Sequence, residues 1–311
     1  MVALLAMTSV PREGHAQSGW PPSATQIQIP LWPRTPPGAG PAVGKEAVHF
    51  SVDPNTGVKK LVGGAPYLYI ENVSQPSITI YTPKARNTGA AVIVYPGGGF
   101  NVLAIDIEGT EICSWLTSNG ISCVLLKYRV PCKPVGAYRD CPQAHQDAQR
   151  AMRIVRSRAG EWKINPRKIG VMGVSAGAHM AIMSSTQFTR GYPAVDGIDS
   201  TSTRPDFALV LYPGRVAYRQ TKFVPNPDIR VTPQTPPTFL VHAYDDDMNL
   251  VENSLLYATA LRKAAVPAEI HIYAKGGHAF GVRRTGLSAA EWPSLAAAWL
   301  RTIGLLGDEH H

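Results

Sequence analysis

A serine sits at the centre of the most informative stretch of the chain, Lys168-Ile-Gly-Val-Met-Gly-Val-Ser-Ala-Gly-Ala-His-Met-Ala181. Residues Ile169 to Val174 form an apolar, β-branched run of the kind that builds a buried parallel strand. The Ala/Met-rich segment after Gly177 has high helix propensity. Between them Gly173-Val174-Ser175-Ala176-Gly177 is a G-x-S-x-G. A turn this tight leaves no room for side chains two positions either side of the serine, so glycine stands there. The hydroxyl of Ser175 is then presented at the carboxyl edge of a sheet. A helix N-terminus aims its amides and positive dipole end at the same place. The chemistry implied is nucleophilic attack; the plainer alternative is a serine that only caps the helix.

Serine is a weak nucleophile at neutral pH and needs a base, and a histidine base needs a buried carboxylate to fix its tautomer. Both types occur later, each in a loop that follows an apolar strand. Tyr244-Asp245-Asp246-Asp247 follows Val241-His242-Ala243, and Lys275-Gly276-Gly277-His278-Ala279-Phe280 follows a strand ending at Tyr273. Ser175, Asp246 and His278 are therefore the candidate catalytic residues, with Asp245 the alternative acid. The order Ser, Asp, His is one of three chain orders in which such triads occur. His179 rides the helix after the serine and is read as packing or a rim hydrogen bond. His242 and His271 lie inside strands and are read as core residues. Pro96-Gly97-Gly98-Gly99-Phe100 follows a fully apolar strand. Amides of Gly98 or Gly99, with that of Ala176, form the candidate oxyanion hole, each donor being worth about 10²–10³ in rate. A flexible loop is the bland alternative. No Gly-Lys-Ser/Thr follows, which disfavours a phosphate-binding loop.

The elements that must carry these loops alternate. Strands are expected at 47–52, 67–72, 77–81, 90–95, 122–127, 169–174, 207–212, 238–243 and 268–273. Helices are expected at 108–119, 143–159, from 177, 251–264 and 289–303. Strand–helix alternation with right-handed crossovers gives an α/β fold. Its sheet is mostly parallel and doubly wound, of about eight strands, with helices on both faces and no large cap domain. Ligands bind such sheets at the carboxyl ends of the strands, where all four chemical loops fall. Residues 1–16 resemble part of a secretory signal peptide, with small residues at Gly14 and Ala16. Residues 17–46 are a Pro/Gly-rich lead-in anchored by Trp20 and Trp32. Residues 47–306 form the catalytic domain and 307–311 a tail.

The 311 residues carry a formal charge of +8 with only 17% charged residues. No Lys/Arg block or nucleic-acid motif is present, so a nucleic-acid partner is not expected. No apolar run reaches membrane-spanning length, so no membrane is expected either. Of the four cysteines, Cys132 and Cys141 close a loop rich in turn residues and are expected to pair in an oxidising compartment. Cys113 and Cys123 are expected as buried free thiols. The compartment expected is secreted or periplasmic. Nothing has zinc spacing, and no metal or organic cofactor is expected.

Together these residues resemble the α/β-hydrolase superfamily, and within it the bacterial acetyl xylan esterase/feruloyl esterase-like serine esterases. The likeness runs from Leu31-Trp32-Pro33 to Trp299. It is carried by Tyr95-Pro-Gly-Gly-Gly-Phe100, Leu126-Lys-Tyr-Arg-Val-Pro131, Gln146-Asp-Ala-Gln-Arg-Ala151, Gly170-Val-Met-Gly-Val-Ser-Ala-Gly177, Val251-Glu-Asn-Ser254 and Gly276-Gly-His278. In that family the acid lies four positions before a proline; Leu250 replaces the proline here, and Asp246 holds the matching place. Pro96 replaces the histidine of the lipase-type His-Gly-Gly-Gly motif. The resemblance implies deacylation of decorated plant polysaccharides, so a polysaccharide or small ester is the expected partner. Tyr218 and Phe223 are candidates for stacking on sugars, and Arg215, Arg219, Arg283 and Arg284 for a positive rim favouring uronic acids. Two other readings stay open: a prolyl-oligopeptidase-like amidase, disfavoured by the lack of a gating domain in this sequence, and an inactive fold used for binding.

Overall fold

Strands buried on both faces read as unbroken apolar runs, and these runs build the centre of the protein. The computed structural model describes residues 26–40 and 43–307, together with Pro22. The signal-like segment, Trp20 and residues 308–311 lie outside the described residues. The central sheet has eight strands: β1 (Ile27–Pro30), β2 (Ser77–Tyr81), β3 (Ala91–Tyr95), β4 (Ser122–Lys127), β5 (Ile169–Val174), β6 (Ala208–Leu211), β7 (Thr238–Ala243) and β8 (Ala268–Tyr273). Their order is β1-β2-β4-β3-β5-β6-β7-β8. From β4 to β8 every pairing is parallel, while β2 runs antiparallel to both β1 and β4. All residues of β3, β5, β6 and β7 are buried, whereas the edge strand β8 alternates exposed and half-buried positions.

Register fixes the working edge. Gly173 of β5 lies opposite Tyr95 of β3 and Val210 of β6, and Ala243 of β7 lies opposite Tyr273 of β8. The carboxyl ends of these strands therefore finish side by side. A separate antiparallel sheet of Ala47–Phe50, Leu68–Glu71 and Val102–Leu103 carries Tyr69, which faces the same cleft as Ser175.

Among the described residues four α-helices connect strands, α1 (Glu111–Ser118), α2 (Pro142–Ser157), α3 (Ala176–Thr186) and α4 (Glu252–Lys263), and α5 (Trp292–Thr302) follows β8. The crossover through α1 steps from β3 toward β1, whereas those through α2, α3 and α4 step the other way. Right-handed crossovers then put α1 on one face and α2, α3 and α4 on the opposite face. Helix α5 returns to the α1 side, where Trp292 meets Trp115 with ring centroids 5.2 Å apart. Helix α3 has every residue buried, since it lies between the sheet and α2. Pro142 opens α2 at a position whose missing N–H costs nothing. Among the described residues, the segments flanking β6 contain only short 3₁₀ turns, and no helical cap covers the sheet edge.

Two expectations are corrected. The lead-in, expected to be extended rather than a packed element, contributes to the sheet: Ile27 to Pro30 pairs antiparallel with β2 and supplies the edge strand β1. Its proline density hides a four-residue strand that ends on Pro30, where the missing donor is tolerated at an edge. Trp32 then buries its ring and donates from Nε1 to Asp147 at 2.8 Å. Cys113 and Cys123 are not free thiols but a disulfide, with Cα atoms 5.1 Å apart. The short turn through Gly120 folds α1 back over the strand it leads into, so the buried faces of both elements bring the sulfurs together. Cys132 and Cys141 are also bonded, Cα to Cα 6.0 Å. Both bridges close loops of about ten residues, for which the chain-entropy model gives about 3 kcal/mol each. A Cys113→Ala/Cys123→Ala variant is expected to lower unfolding free energy by about that amount, measured as a shift in urea midpoint.

Candidate active site

Three backbones meet where β3, β5 and α3 converge. A Cβ on Gly173 would collide with the Gly177 carbonyl, and one on Gly177 with the Tyr95 carbonyl. Ser175 is driven into a left-handed backbone, φ 54° and ψ −116°, which an L-residue adopts only under strain. Its Oγ lies 2.8 Å from His278 Nε2, and His278 Nδ1 lies 2.7 Å from Asp246 Oδ2. An ionised carboxylate only accepts, so Nδ1 of His278 carries the proton and Nε2 accepts from the serine.

The three aspartates after β7 have separate fates. Asp246 is 2% exposed. Its Oδ1 accepts from the Met248 and Asn249 amides at 3.0 and 2.9 Å, and its Oδ2 from His278 and, at 3.3 Å, His242 Nε2. Burial works to raise its pKa. The hydrogen bonds from His242 and His278, and the charge of His278, outweigh burial and hold it well below the usual carboxylate range. Asp245 instead accepts from the Gly276 and Gly277 amides at 2.9 and 2.8 Å, tying down the loop that carries His278. Asp247 is exposed. Asp246, rather than Asp245, faces the imidazole.

The glycine triplet supplies the facing donors. Gly98 takes φ +125°, and a Cβ there would strike the Val102 carbonyl. Its carbonyl accepts from the Asn101 and Val102 amides, while the Gly98 and Gly99 amides make no hydrogen bond to another described residue. The Ala176 amide opens α3 and is one of those a helix leaves unpaired. All three residues line a cleft of about 450 Å³ with Ser175 and His278. Tyr67 and Tyr69 form one wall, Arg215, Tyr218 and Met248 another.

Other expected residues fall elsewhere. Phe223, Arg219, Arg283 and Arg284 do not line the cleft. Arg283 is tied to Glu111 at 2.6 Å and to the Val62, Ala65 and Pro66 carbonyls. His179 is buried against Asp140 at 2.9 Å, and His271 is only half-buried, beside Glu269, rather than in the core.

Two further residues of the site are not evident from the sequence. His242 is fully buried, as expected of a core residue, but its Nε2 reaches Asn249 O and Asp246 while its Nδ1 accepts from Ser254 at 2.7 Å. Glu108 is 2% exposed and lines the cleft. Its Oε2 accepts from the Gly97 amide at 2.9 Å and its Oε1 from the Tyr212 hydroxyl at 3.2 Å. Tyr212 packs its ring 5.0 Å from His278 and accepts from the Gly281 amide. One carboxyl thereby links the glycine loop, the loop after β6 and the histidine loop. Burial raises the Glu108 pKa, against the charge of His278 and the Gly97 hydrogen bond. The available signal was an acidic residue beside the glycine loop, which at a helix start ordinarily means a solvated first turn. Among the described residues, no group of His, Cys, Asp and Glu could hold a metal ion, and no helix is long and apolar enough to cross a membrane.

Comparison with known proteins agrees with this architecture. The BD-FAE family model matches residues 78–204, and the prolyl oligopeptidase family model matches residues 143–303. An acetylxylan esterase of Xylanibacter ruminicola is 29% identical over 62% of this chain and 42% of its own length. Endo-1,4-beta-xylanase B of Butyrivibrio fibrisolvens is 27% identical over 67% of this chain and 35% of its own. The chain thus spans less than half the length of these curated relatives. The acetyl ester-xyloside bifunctional hydrolase of Caldicellulosiruptor lactoaceticus superposes with a TM-score of 0.69 at 32% identity, over 90% of this chain and 97% of that one. On the family match over residues 143–303 and the near-complete overlap with that solved relative, the chain belongs to the α/β-hydrolase superfamily, on its acetyl xylan esterase-like branch.

Proposed function

We propose that the protein is a serine carboxylesterase that removes small acyl groups, acetyl foremost and feruloyl second, from plant polysaccharides such as xylan. The observation that carries this reading is the unbroken hydrogen-bonded series Ser175–His278–Asp246, opening on a cleft beside unpaired main-chain amides. Ser175 Oγ attacks the ester carbonyl carbon while its proton passes to His278 Nε2. The carbonyl oxygen becomes an oxyanion held by the amides of Gly98, Gly99 and Ala176. As the carbon–oxygen bond to the alcohol breaks, His278 returns the proton to the departing oxygen. Water then attacks acyl-Ser175 by the same route and releases the acid. Asp246 stays ionised throughout and offsets the charge of the imidazolium.

The substrate class is supported by the names of the relatives and by the shape of the cleft. An uncapped sheet edge admits a bulky alcohol, and the tyrosine walls suit sugar faces. Two disulfides support a secreted or periplasmic setting, where thiols oxidise. The prolyl oligopeptidase match favours amide cleavage as a second reading, since it spans Ser175, Asp246 and His278.

Ser175→Ala is expected to lower kcat on acetylated xylan by about 10⁴-fold or more and to abolish labelling by a fluorophosphonate probe. Parallel assays on methyl ferulate and an aminoacyl amide decide between acyl groups and between ester and amide. Asp246→Asn is expected to cost about 10⁴ in kcat, whereas Asp245→Asn costs about tenfold or less because it only anchors the histidine loop. Glu108 adds a pH signature. An acid whose folded pKa lies above its unfolded value destabilises the protein as pH rises from the unfolded pKa to the folded one. Glu108→Gln is therefore expected to gain stability relative to wild type as pH rises above about 4.5, and to show no such gain below it. Urea denaturation at pH 4 and pH 7 measures this.

A further inference from the structure

Arg215 follows β6 through Tyr212-Pro213-Gly214, and both Tyr212 and Arg215 take left-handed backbone angles, φ 38° and 64°. The strain aims the side chain back at the cleft that Ser175 opens on. Its guanidinium carbon lies 4.6 Å from the centre of the Phe100 ring. Nη2 donates to the Gly99 carbonyl at 3.2 Å and Nη1 to the Arg139 carbonyl. Every one of these partners is neutral. Arg129, Arg150, Arg156, Arg158 and Arg283 each pair with a carboxylate, and among the described residues Arg215 does not.

No carboxylate is paired with it. Asp140 is the carboxylate whose charge acts on it, but the two form no ion pair, and Asp140 is hydrogen-bonded to His179 instead. Arg139 adds a like charge. Glu108, on the same cleft, is pushed by burial toward its neutral form. A half-buried cation with no carboxylate bonded to it is costly, and a planar fork is the side chain best matched to a carboxylate.

We infer that Arg215 forms an anion subsite beside the ester pocket, which takes a carboxylate carried by the substrate next to its scissile ester. The inference rests on the serine esterase reading and names a substrate class within it. The carboxylate has two possible sources, a uronic acid on the alcohol or a dicarboxylic acyl group, and both present the same chemistry to the guanidinium.

The test compares three esters with wild type, Arg215→Gln and Arg215→Lys: a neutral acetylated xylo-oligosaccharide, the same oligosaccharide bearing a uronic acid branch, and a hemisuccinate of a neutral alcohol. Wild type is expected to prefer one anionic ester over the neutral acetate in kcat/KM. Arg215→Gln is expected to reduce that preference by about tenfold, the change expected for losing one charge-assisted contact, with Arg215→Lys restoring part of it. A preference for the uronic-acid ester places the carboxylate on the alcohol side, and one for the hemisuccinate on the acyl side. Equal losses on all three esters would mean that Arg215 only holds the Gly99 loop, and would overturn the inference. Wild type hydrolysing none of them would count against the esterase instead. Binding covers that case: the deacetylated, uronic-acid-branched oligosaccharide should bind the Ser175→Ala protein more tightly than its neutral counterpart, and Arg215→Gln should erase the difference. No difference in the first place would also sink the subsite.

Discussion

No Cβ fits between the end of β3, the end of β5 and the first turn of α3, and the rest of the site depends on that exclusion. Contact between the Gly177 position and the Tyr95 carbonyl lets α3 begin directly over the sheet edge. The chain between must then turn within one residue, and Ser175 absorbs the strain in its backbone. Such a conformation persists only where surrounding structure over-determines it. Here that structure is a fully buried strand, a fully buried helix and two flanking parallel strands.

Around this junction the polar groups are arranged so that few are idle. Asp246 receives four hydrogen bonds, two from main-chain amides and two from imidazoles, which is why a buried carboxyl stays ionised. Glu108 receives fewer and lies in the same low-dielectric region, so burial wins and its pKa is raised. Two buried acids in one site are thus pushed in opposite directions by the number of donors each can reach. Glu108 supplies a common anchor for the glycine loop, the loop after β6 and, through Tyr212, the histidine loop.

How much of this the sequence disclosed follows from the range of each interaction. Strands buried on both faces announce themselves as apolar runs, so β3, β5, β6 and β7 are readable to within a residue or so. The convergence of Ser175, Asp246 and His278 was legible because parallel strands deliver their following loops to one edge whatever the details between. The small sheet with its Val102–Leu103 strand was only partly legible, because two-residue strands carry no periodicity. Strand β1 hid among prolines. The Cys113–Cys123 bond depended on how tightly α1 folds onto β4, a distance in space that spacing along the chain does not encode. Glu108 and His242 were passed over for a related reason. Glu108 takes its role from partners 11 and 104 positions away, and although His242 reaches Asp246 and Asn249 only four and seven positions on, nothing local marks a carboxyl or an imidazole as buried.

The antiparallel sheet of Ala47–Phe50, Leu68–Glu71 and Val102–Leu103 has a wider meaning. It brings Tyr69 to the cleft from a part of the chain that takes no share in the central sheet, as the loop after β6 does for Tyr218. The walls that meet a ligand are thus built from different segments than the floor that holds the serine. Sequence drift in those walls can alter which molecules are admitted while the strained junction beneath is left intact. A lineage built on this scaffold is free to diversify its diet without reinventing its chemistry.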